Sequence, residues 1–502
     1  MPVLAHFLEI ALARPGSVAF FWGDKRWTNG DLLAEIDALV DALVDAGAQT
    51  GDRISISMPN SPNLAISLLA CLRGGFVAAP INTRFKAEET RAVVDLIAPA
   101  LHLGSAGASA DLSGVCADTL PSDARVVLAD EGGAAEAVRG GHCRRGDSTR
   151  SSAPGVAEPA ILMATSGTTG APKIVTHTLG TLDAITARYD ALGLRPDDIM
   201  LNVGPMVHAG GLFNFLASLV RPSAMVMVGP FEPGAVLDAI ARHRCTWMKA
   251  LPFIFAELID AQRLHPRDIS SLRFCVASGD AAPTRLKQGF ASTFRLPLHA
   301  GWASTEAATS LVHCAAEGSG YPIRTGTGVT LRSIEGDAAD VHDTGELLVC
   351  GPHVSPGYWS NGAVQPGPDY FETGDVFQRL ADGTLAFVER RKNLIIRGGS
   401  NISPLEVEEA LRAYPDVSDA AVFGIPDDRL GERIAALIEL APSASASVAE
   451  ILRRLRERLS DYKIPEFARV VSRLPRNGNG KVDRAALPRL LSEQPALATA
   501  GT

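Results

Sequence analysis

The chain has 502 residues, of which 46% are hydrophobic and 21% are charged, and its formal net charge is −9. This length exceeds what one hydrophobic core supports, so we expect at least two domains. The composition is that of a globular protein and argues against global disorder. The acidic balance argues against a general nucleic-acid binder, whose surface would be basic.

The cysteines and the apolar stretches indicate the compartment. Seven scattered cysteines without a Cys-x-x-Cys pair predict free intracellular thiols. Residues 1–10 lack a basic segment and contain Glu9, so no signal peptide is expected. The apolar stretch 210–230 is interrupted by Arg221 and Pro222, which is too broken for a membrane span. We therefore expect a cytoplasmic protein with no membrane span.

Strand and helix patterns alternate through the first half of the chain. A helical pattern begins at a Thr28 or Asn29 cap and stops at Gly47, and residues 51–58 then alternate like a strand. The same alternation continues as far as residues 272–277. It predicts a parallel α/β sheet.

The remaining segments have other patterns. Residues 104–158 are rich in small and polar residues and are predicted to be mostly surface loop, with a short strand at 126–128. Beyond Thr309, short alternating runs such as residues 345–351 predict a small β-rich subdomain. From Asn393 onward the chain is charged and helix-rich, which indicates a separate small α+β domain.

A Gly/Thr/Ser loop, Ala164–Lys173 with the sequence ATSGTTGAPK, follows the apolar run 160–163. Glycines let backbone N–H groups approach an oxyanion closely, and the hydroxyls supply further donors beside the Lys173 ammonium. The loop is not a Walker P-loop, because Pro172 precedes the lysine and no Ser or Thr follows it. We interpret it as a polyphosphate cradle; the alternative is a flexible linker.

The motif Thr165–Lys173 resembles the signature of the adenylate-forming superfamily, which comprises acyl- and aryl-CoA synthetases, adenylation domains of peptide synthetases, and luciferases. Four later segments are similar to other elements of that superfamily, in the same order: Ala300–Ala307, Phe371–Asp375, Glu389–Glu408 and Pro475–Arg484. The resemblance covers residues 27–484. It implies a large N-terminal domain of parallel α/β sheets with a small β-rich subdomain, residues 1–391. It also implies a small mobile α+β domain, residues 392–502, with its hinge at Lys392.

The resemblance implies a role for each matching residue. Trp302 would stack on adenine, Thr305 would lie near the α-phosphate, and Glu306 would bind Mg²⁺. Asp375 and Arg390 would hold the ribose. The predicted catalytic residues are Lys481, Thr165, Glu306 and His208, and the predicted residues for binding ATP and coenzyme A are Ser166, Gly167, Thr168, Thr169, Gly170, Lys173, Gly279, Asp280, Trp302, Thr305, Asp375, Arg390, Lys392, Gly398 and Gly399.

Some of these residues also fit simpler interpretations. Segment 300–307 fits a helix N-terminus capped by Ser304 or Thr305. A lone His208 suits a pocket wall rather than a metal site, because no second ligand lies at a suitable spacing. Segment 300–307 departs from the superfamily pattern at two positions: Trp302 stands in place of the commoner tyrosine, and Ala303 in place of the usual glycine. In the hinge, Glu389 stands where glycine is frequent and Asn393 where aspartate is frequent.

The implied activity is that of an AMP-forming acyl- or aryl-CoA synthetase. A carboxylate attacks the α-phosphate of ATP·Mg²⁺ to give an acyl-adenylate and pyrophosphate, and coenzyme A then takes the acyl group. Two alternatives stay open: an enzyme that loads a carrier-protein phosphopantetheine, and a nucleotide-binding relative without catalysis. The sequence does not name the acid. Phe213, Phe215, Trp247 and Met248 lie on segments expected near the acyl pocket, yet each fits the core equally well.

Overall fold

A computed structural model describes residues 3–105, 125–128, 155–166, 172–221, 223–280, 282–308, 310–311, 320–323, 326–333, 343–397, 400–442, 444–476 and 481–492. In these ranges the strands are, in chain order, β1 Val18–Trp22, β2 Lys25–Thr28, β3 Arg53–Ser57, β4 Val77–Pro80, β5 Leu101–Ser105, β6 Arg125–Leu128, β7 Pro159–Ser166, β8 Pro172–Thr178, β9 Ile199–Asn202, β10 Ala224–Met227, β11 Trp247–Ala250, β12 Phe274–Ser278, β13 Leu298–Gly301, β14 Gly328–Arg332, β15 Thr344–Cys350, β16 Gly357–Ser360, β17 Ala363–Pro366, β18 Phe371–Arg379, β19 Leu385–Arg390, β20 Ile395–Arg397, β21 Ser400–Ile402, β22 Val417–Asp427, β23 Gly431–Leu440 and β24 Phe467–Val471.

The helices in the same ranges are α1 Val3–Ala13, α2 Asn29–Asp45, α3 Pro62–Gly74, α4 Ala87–Ile97, α5 Leu179–Ala187, α6 Ala209–Leu219, α7 Pro233–His243, α8 Pro252–Leu264, α9 Thr284–Phe294, α10 Pro404–Arg412, α11 Val448–Leu455 and α12 Leu487–Ser492. Within the described part of the chain, none of them is both long and apolar enough to cross a membrane.

Helix α2 shows how local sequence sets an element boundary. The Thr28 side chain accepts the Asp31 backbone N–H, and the Asp31 carboxylate accepts the Thr28 backbone N–H at 3.0 Å. Such a reciprocal cap satisfies two otherwise unpaired donors and stabilises a helix by about 1 kcal/mol. The helix therefore begins where the sequence predicts.

Two large sheets form the N-terminal part. The eight-stranded sheet has the order β17-β16-β8-β7-β4-β3-β5-β6, and the seven-stranded sheet has the order β13-β12-β11-β9-β10-β1-β2. Pairing is parallel from β7 to β6 and from β13 to β1, and antiparallel at the other pairs. The predicted α/β class with parallel sheets is confirmed.

One part of the β-rich region joins a different sheet from the one expected. Strands β16 and β17 follow Thr309 but extend the eight-stranded sheet, where β16 pairs antiparallel with β8. Trp359 on β16 is only 8% exposed and belongs to the main core, which explains the placement. Sequence alternation reveals which face of a strand is buried but not which strand is its neighbour.

The predicted β-rich subdomain is the antiparallel sheet β14-β15-β18-β19. Its buried side chains, among them Leu347, Phe377 and Leu385, form a core with Trp302. After it, strands β20 to β24 and helices α10 and α11 form an α+β unit with a core of its own, from Ile395 to Ala468. The boundary at Lys392 stays a prediction.

Four of the seven cysteines lie in the described residues, and each is a free thiol: Cys71, Cys245, Cys275 and Cys350. This agrees with the prediction from their spacing.

Candidate active site

The strands on either side of the predicted polyphosphate cradle, β7 and β8, pair with each other. Strands β7 and β8 are antiparallel, with Thr165 directly opposite Lys173, and the Thr165 hydroxyl donates to the Lys173 carbonyl at 3.3 Å. The hairpin therefore returns the lysine to the threonine that precedes the loop. The tip residues Gly167, Thr168, Thr169 and Gly170 lie outside the described residues, and Ser166 is described only as the last residue of β7. Their role in binding phosphate stays a prediction.

Tyr358 connects two residues that the sequence singled out separately. Its hydroxyl donates to Glu306 Oε1 at 3.1 Å, and the Lys173 ammonium lies 5.1 Å from the centre of its ring. Burial, and then the Glu306 charge, raise the pKa of the Tyr358 hydroxyl well above its ordinary value, so it stays a donor. Sequence reasoning missed Tyr358, because its partners lie 52 and 185 positions away and β16 was expected elsewhere.

The two predicted ribose ligands are partners in one strand ladder. Asp375 on β18 stands opposite Arg390 on β19, and Arg390 Nε lies 3.1 Å from Asp375 Oδ1. Asp375 is 4% exposed; burial raises the pKa of its carboxyl, while Arg390 acts in the opposite direction. Gly374, at φ +69°, precedes Asp375 inside β18, where the pairing of β18 with β15 shifts its register.

One oxygen of Asp375 remains available to a ligand. Oδ2 accepts the Trp302 indole N–H at 2.8 Å, whereas Oδ1 is buried and has no hydrogen-bond donor among the described residues, despite its ion pair with Arg390. An unsatisfied buried acceptor costs free energy unless a ligand supplies the donor. Two vicinal ribose hydroxyls are such donors, so the site fits a nucleotide.

Trp302 is more enclosed than its predicted stacking role requires. It is 9% exposed and meets Phe377 edge to face, with ring centroids 6.0 Å apart. Stacking on adenine therefore stays a prediction, while the indole N–H already positions Asp375. The Ser304 hydroxyl accepts the Ala307 N–H at 2.9 Å, as a helix cap would, but the following residues 305–308 form bends and a turn rather than a helix.

A buried histidine holds the segment that carries Thr305. His177 Nε2 lies 2.9 Å from the Thr305 carbonyl, so this nitrogen carries the proton and donates. Burial lowers the pKa of His177 to about 4, which keeps the ring neutral at physiological pH. His177 also meets Phe213 on α6 edge to face at 5.2 Å. The sequence gives no signal for this residue beyond its place on an apolar strand.

Lys481 is placed on the N-terminal part of the protein. Its ammonium donates to the carbonyl of Gly279, directly after β12. Burial raises the pKa of Asp375, and the charge of Lys481, like that of Arg390, acts against this rise. Gly279 has φ +88°, a left-handed conformation that favours glycine, and a Cβ there would lie 2.9 Å from the flexible end of the Leu251 side chain. Asp280 follows it and is exposed. The structure thus brings Lys481 and the Asp375 site together across two domains.

A second contact supports this arrangement. Arg285 on α9 donates to the carbonyl of Val417, at the start of β22, at 2.7 Å. The C-terminal unit is therefore docked with Lys481 at the carboxyl-end edge of the seven-stranded sheet. The action of Lys481 on a bound nucleotide stays a prediction.

The predicted hinge is a short 3₁₀ turn, Arg391–Asn393, with Lys392 exposed at its centre. The buried Glu389 precedes this turn and accepts two hydrogen bonds. Its Oε1 accepts from Asn393 Nδ2, within the turn, at 3.2 Å, and its Oε2 accepts from the Leu405 N–H, on α10, at 3.0 Å. The two departures from the superfamily pattern, at 389 and 393, therefore contact each other. Gly398 and Gly399, predicted to meet coenzyme A, lie outside the described residues.

His208 stands at the N-terminus of α6, with Nε2 3.3 Å from the Asn82 amide nitrogen. Burial, and then the nearby Arg84 charge, lower its pKa, so it is a neutral side chain. Asn60 fixes the preceding turn by accepting the Met206 N–H at 2.8 Å. Among the described residues no three acidic, His or Cys side chains cluster as a metal site. The placement of His208 in a pocket wall stays a prediction.

The four side chains expected near the acyl pocket are all buried: Phe213, Phe215, Trp247 and Met248. Trp247 also donates its indole N–H to the Leu192 carbonyl at 2.9 Å. Their contacts are those of a packed core, and only Phe213 touches a ring that also holds the Thr305 segment. Whether they contact substrate stays a prediction.

Comparisons with known proteins show the family of this chain. The AMP-binding enzyme family matches residues 7–359, and the AMP-binding enzyme C-terminal domain matches residues 406–481. Feruloyl-CoA synthase from an Amycolatopsis species is 31% identical over 488 residues, which are 95% of this chain and 96% of that protein. A 3-(7a-methyl-1,5-dioxo-octahydro-1H-inden-4-yl)propanoyl:CoA ligase from Mycobacterium tuberculosis is 31% identical over 95% of this chain and 96% of its own length.

The fold is shared with solved structures. ATP-bound MatB from Rhodopseudomonas palustris superposes with a TM-score of 0.85 at 22% identity, covering 98% of this chain and 99% of MatB. o-Succinylbenzoate CoA synthetase from Bacillus subtilis, in complex with its acyl-adenylate, gives a TM-score of 0.80 at 26% identity, over 97% of this chain and 98% of that one.

The fold and the site define an adenylate-forming enzyme. The chain belongs to the AMP-binding enzyme family, and within it to the AMP-forming acid–thiol ligases.

Proposed function

We propose that this enzyme activates a carboxylic acid at the cleft between Lys481 and Asp375 and then transfers the acyl group to coenzyme A. The observation that carries the proposal is the Lys481 ammonium on the Gly279 carbonyl, on the same side as the Asp375 and Arg390 pair. A cation there faces the position where negative charge builds up as a carboxylate attacks the α-phosphate.

The first step needs positioning and charge neutralisation rather than a base. A carboxylate is already ionised at neutral pH, so its oxygen attacks the α-phosphate directly and pyrophosphate leaves. Asp375 holds the ribose through its free Oδ1, and Lys481 neutralises charge on the reacting groups. Lys173, which stands opposite Thr165 in the β7–β8 pair, would bind the leaving phosphates.

Glu306 is the residue that would hold Mg²⁺, together with phosphate oxygens of ATP. Its carboxylate is a hard oxygen ligand, and Mg²⁺ takes few protein ligands when it is bound to nucleotide phosphates. When bound, the ion would offset the charge of the triphosphate. Tyr358 keeps the carboxylate oriented by donating to Oε1.

The second step uses the C-terminal unit differently. Rotation about Lys392 would withdraw Lys481 and bring the strip at Gly398 and Gly399 to the acyl-adenylate for thiol attack. This requires the contacts of Glu389 with Leu405 and of Arg285 with Val417 to break. Coenzyme A is the acceptor that the named relatives support, and a carrier-protein phosphopantetheine is the alternative.

The acid is proposed to be an aryl or other cyclic carboxylic acid. Relatives named feruloyl-CoA synthase and indoleacetate–CoA ligase, 31% and 29% identical, support this class. Such chemistry belongs in the cytoplasm, where ATP and coenzyme A are available.

The experiment is a panel of carboxylic acids assayed for ATP-dependent pyrophosphate release. We expect release with at least one acid, and acyl-CoA as the product when coenzyme A is added. Product formed only with a holo-carrier protein would replace coenzyme A as the acceptor. No acid-dependent exchange of pyrophosphate into ATP would show a relative without catalysis.

A further inference from the structure

Lys249 is a buried lysine that the proposed reaction does not use. It lies on β11, is 8% exposed, and its ammonium is 5.4 Å from the centre of the Tyr189 ring. Among the described residues, this ammonium makes no hydrogen bond and no ion pair. Burial alone lowers the pKa of Lys249, to about 8, so the side chain is still mostly protonated at neutral pH. It is a largely buried cation with no acceptor among the described residues.

The groups around Lys249 are neutral and already paired with one another. The Tyr189 hydroxyl donates to Asn214 Oδ1 at 2.9 Å, and Asn214 Nδ2 donates to the Lys249 carbonyl at 3.4 Å. Trp247, on the same face of β11, donates to a backbone carbonyl. The surroundings therefore hold the lysine in place but supply no anion. Burying a cation in this way costs free energy that a methionine of similar length would not.

The position of Lys249 relates it to the reacting groups. Lys249 on β11 pairs with Val276 on the parallel strand β12. Gly279, whose carbonyl accepts a hydrogen bond from Lys481, comes directly after β12 and three residues after Val276. Three residues of a strand span about 10 Å. Asn214 lies on α6, and the adjacent Phe213 contacts the His177 ring that holds Thr305. Lys249 therefore lies about 10 Å along the sheet from the residue that contacts Lys481. The far end of an acid whose carboxylate is activated at Lys481 would span that distance.

We propose that Lys249 binds a second oxygen-bearing group of the substrate, a carboxylate or a ketone at the end remote from the carboxyl that is activated at Lys481. The inference rests on the proposed carboxylate activation and narrows its substrate class. An ammonium in a desolvated site forms a charge-assisted hydrogen bond with such an oxygen. An acid with an apolar end leaves the cation unpaired, and sites built to pair a polar group discriminate strongly against analogues that lack it.

The test compares matched acids that differ only at the far end: hexanoate, 5-oxohexanoate and adipate, and 3-phenylpropanoate with 3-(4-carboxyphenyl)propanoate. The readouts are kcat/KM for pyrophosphate release and the melting temperature, for the wild type and for Lys249→Met. Lys25→Met, at an exposed position on β2, is the control for loss of a lysine.

We expect the wild type to prefer the oxygenated member of a pair at least tenfold. Lys249→Met should reduce that ratio at least tenfold and should melt at the same or a higher temperature, because a buried cation is removed. Lys25→Met should keep the wild-type ratio. A purely structural lysine predicts the opposite: a lower melting temperature and an equal loss with every acid.

The inference is overturned if the wild type shows no preference, prefers the apolar member, or keeps its ratio in Lys249→Met. The wild-type ratio tests it even if Lys249→Met fails to fold, and Lys249→Gln is the second neutral variant. Absence of pyrophosphate release with every acid of the broad panel would instead remove the proposed function, and the inference with it. Activity without preference removes the inference alone.

Discussion

Asp375 shows at the level of one residue how a site is prepared for a ligand. One oxygen is fixed by the Trp302 indole, and the other is buried beside Arg390 without a hydrogen-bond donor of its own. The carboxylate is thus oriented before a nucleotide arrives. Orientation in advance reduces the entropy that binding must overcome.

Asp375→Ala should weaken ATP binding by roughly 1.5–3 kcal/mol, the usual contribution of a hydrogen bond to a charged group. The loss should come through the ribose, so the variant should no longer distinguish ATP from 2′,3′-dideoxy-ATP. Binding of both nucleotides is measured by calorimetry, with Asp382→Ala in an exposed turn as the control. An unchanged ratio between the nucleotides would remove Asp375 as the ribose ligand.

Tyr358→Phe keeps the ring beside Lys173 and deletes the hydroxyl that donates to Glu306. Loss of one such hydrogen bond corresponds to about tenfold in affinity. We expect the Mg²⁺ concentration for half-maximal pyrophosphate release to rise by about that factor, with little change in the KM for coenzyme A. If the Mg²⁺ dependence stays as in the wild type, Tyr358 does not position the ligand of the metal.

Lys481→Ala should abolish acyl-adenylate formation, with a loss of roughly 10²-fold or more, as for a principal transition-state donor. Thioester formation from supplied acyl-adenylate should persist, because the lysine is needed only in the docked arrangement seen here. Both half-reactions are followed in single-turnover experiments. An equal loss in the two would contradict the assignment of Lys481 to the first step.

At the level of elements, the connection between β19 and β20 determines how the two parts can move. Its 3₁₀ turn is exposed, yet Glu389, near the end of β19, binds Asn393 within the turn and Leu405 beyond it. A rotation about the predicted pivot that separates α10 from β19 would have to break the Glu389 contact with Leu405. A contact between β19 and α10 therefore lies next to the predicted pivot.

Lys392→Pro should trap the docked arrangement, because proline fixes φ near −65°, a value that a 3₁₀ turn already uses. Adenylation should survive and thioester formation should fail. The measurement sets pyrophosphate release in one turnover beside acyl-CoA yield from pre-formed adenylate, with Lys392→Ala as the matched control.

Because a proline ring also crowds the preceding residue, here Arg391, the melting temperature of the variant is measured first. If a folded Lys392→Pro enzyme performs both half-reactions at wild-type rates, Lys392 is not the pivot. The domain boundary would then have to move.

At the scale of the whole molecule, buried neutral histidines link stability to pH. Burial lowers the pKa of His177 to about 4, and burial with the Arg188 charge lowers that of His353 to about 3, against 6.5 for an unperturbed histidine. The unfolded chain therefore binds more protons than the folded one as pH falls through 6.5. Their stabilising contribution is complete above pH 6.5 and is lost progressively below it.

His177→Gln removes one of the groups that take up a proton on unfolding, so stability should depend less on pH. The glutamine amide keeps a donor for the Thr305 carbonyl. Between pH 6.5 and 5 the wild type should lose about 2 kcal/mol more unfolding free energy than the variant, at about 1.4 kcal/mol per pH unit for one proton. Urea denaturation at several pH values measures both slopes. Identical slopes would mean that His177 is not buried as a neutral ring.

The contiguous motifs and the class of fold could be predicted from the sequence, because they depend on neighbours along the chain. Hydrophobic alternation predicted the parallel sheets and the β-rich sheet, and Thr28 predicted the start of α2. The pairing of Asp375 with Arg390 was reachable too, since both residues lie in recognisable motifs. The family follows from those motifs and their order.

Only the tertiary structure decided which distant residues meet. The alternation of β16 did not reveal β8 as its neighbour, so the link from Lys173 through Tyr358 to Glu306 stayed hidden. A lone histidine or lysine in an apolar strand has the same local signal whether it is paired or not. The contact of His177 with Thr305 and the unpaired charge of Lys249 therefore depend on the packing of separate elements, which periodicity along one strand cannot encode.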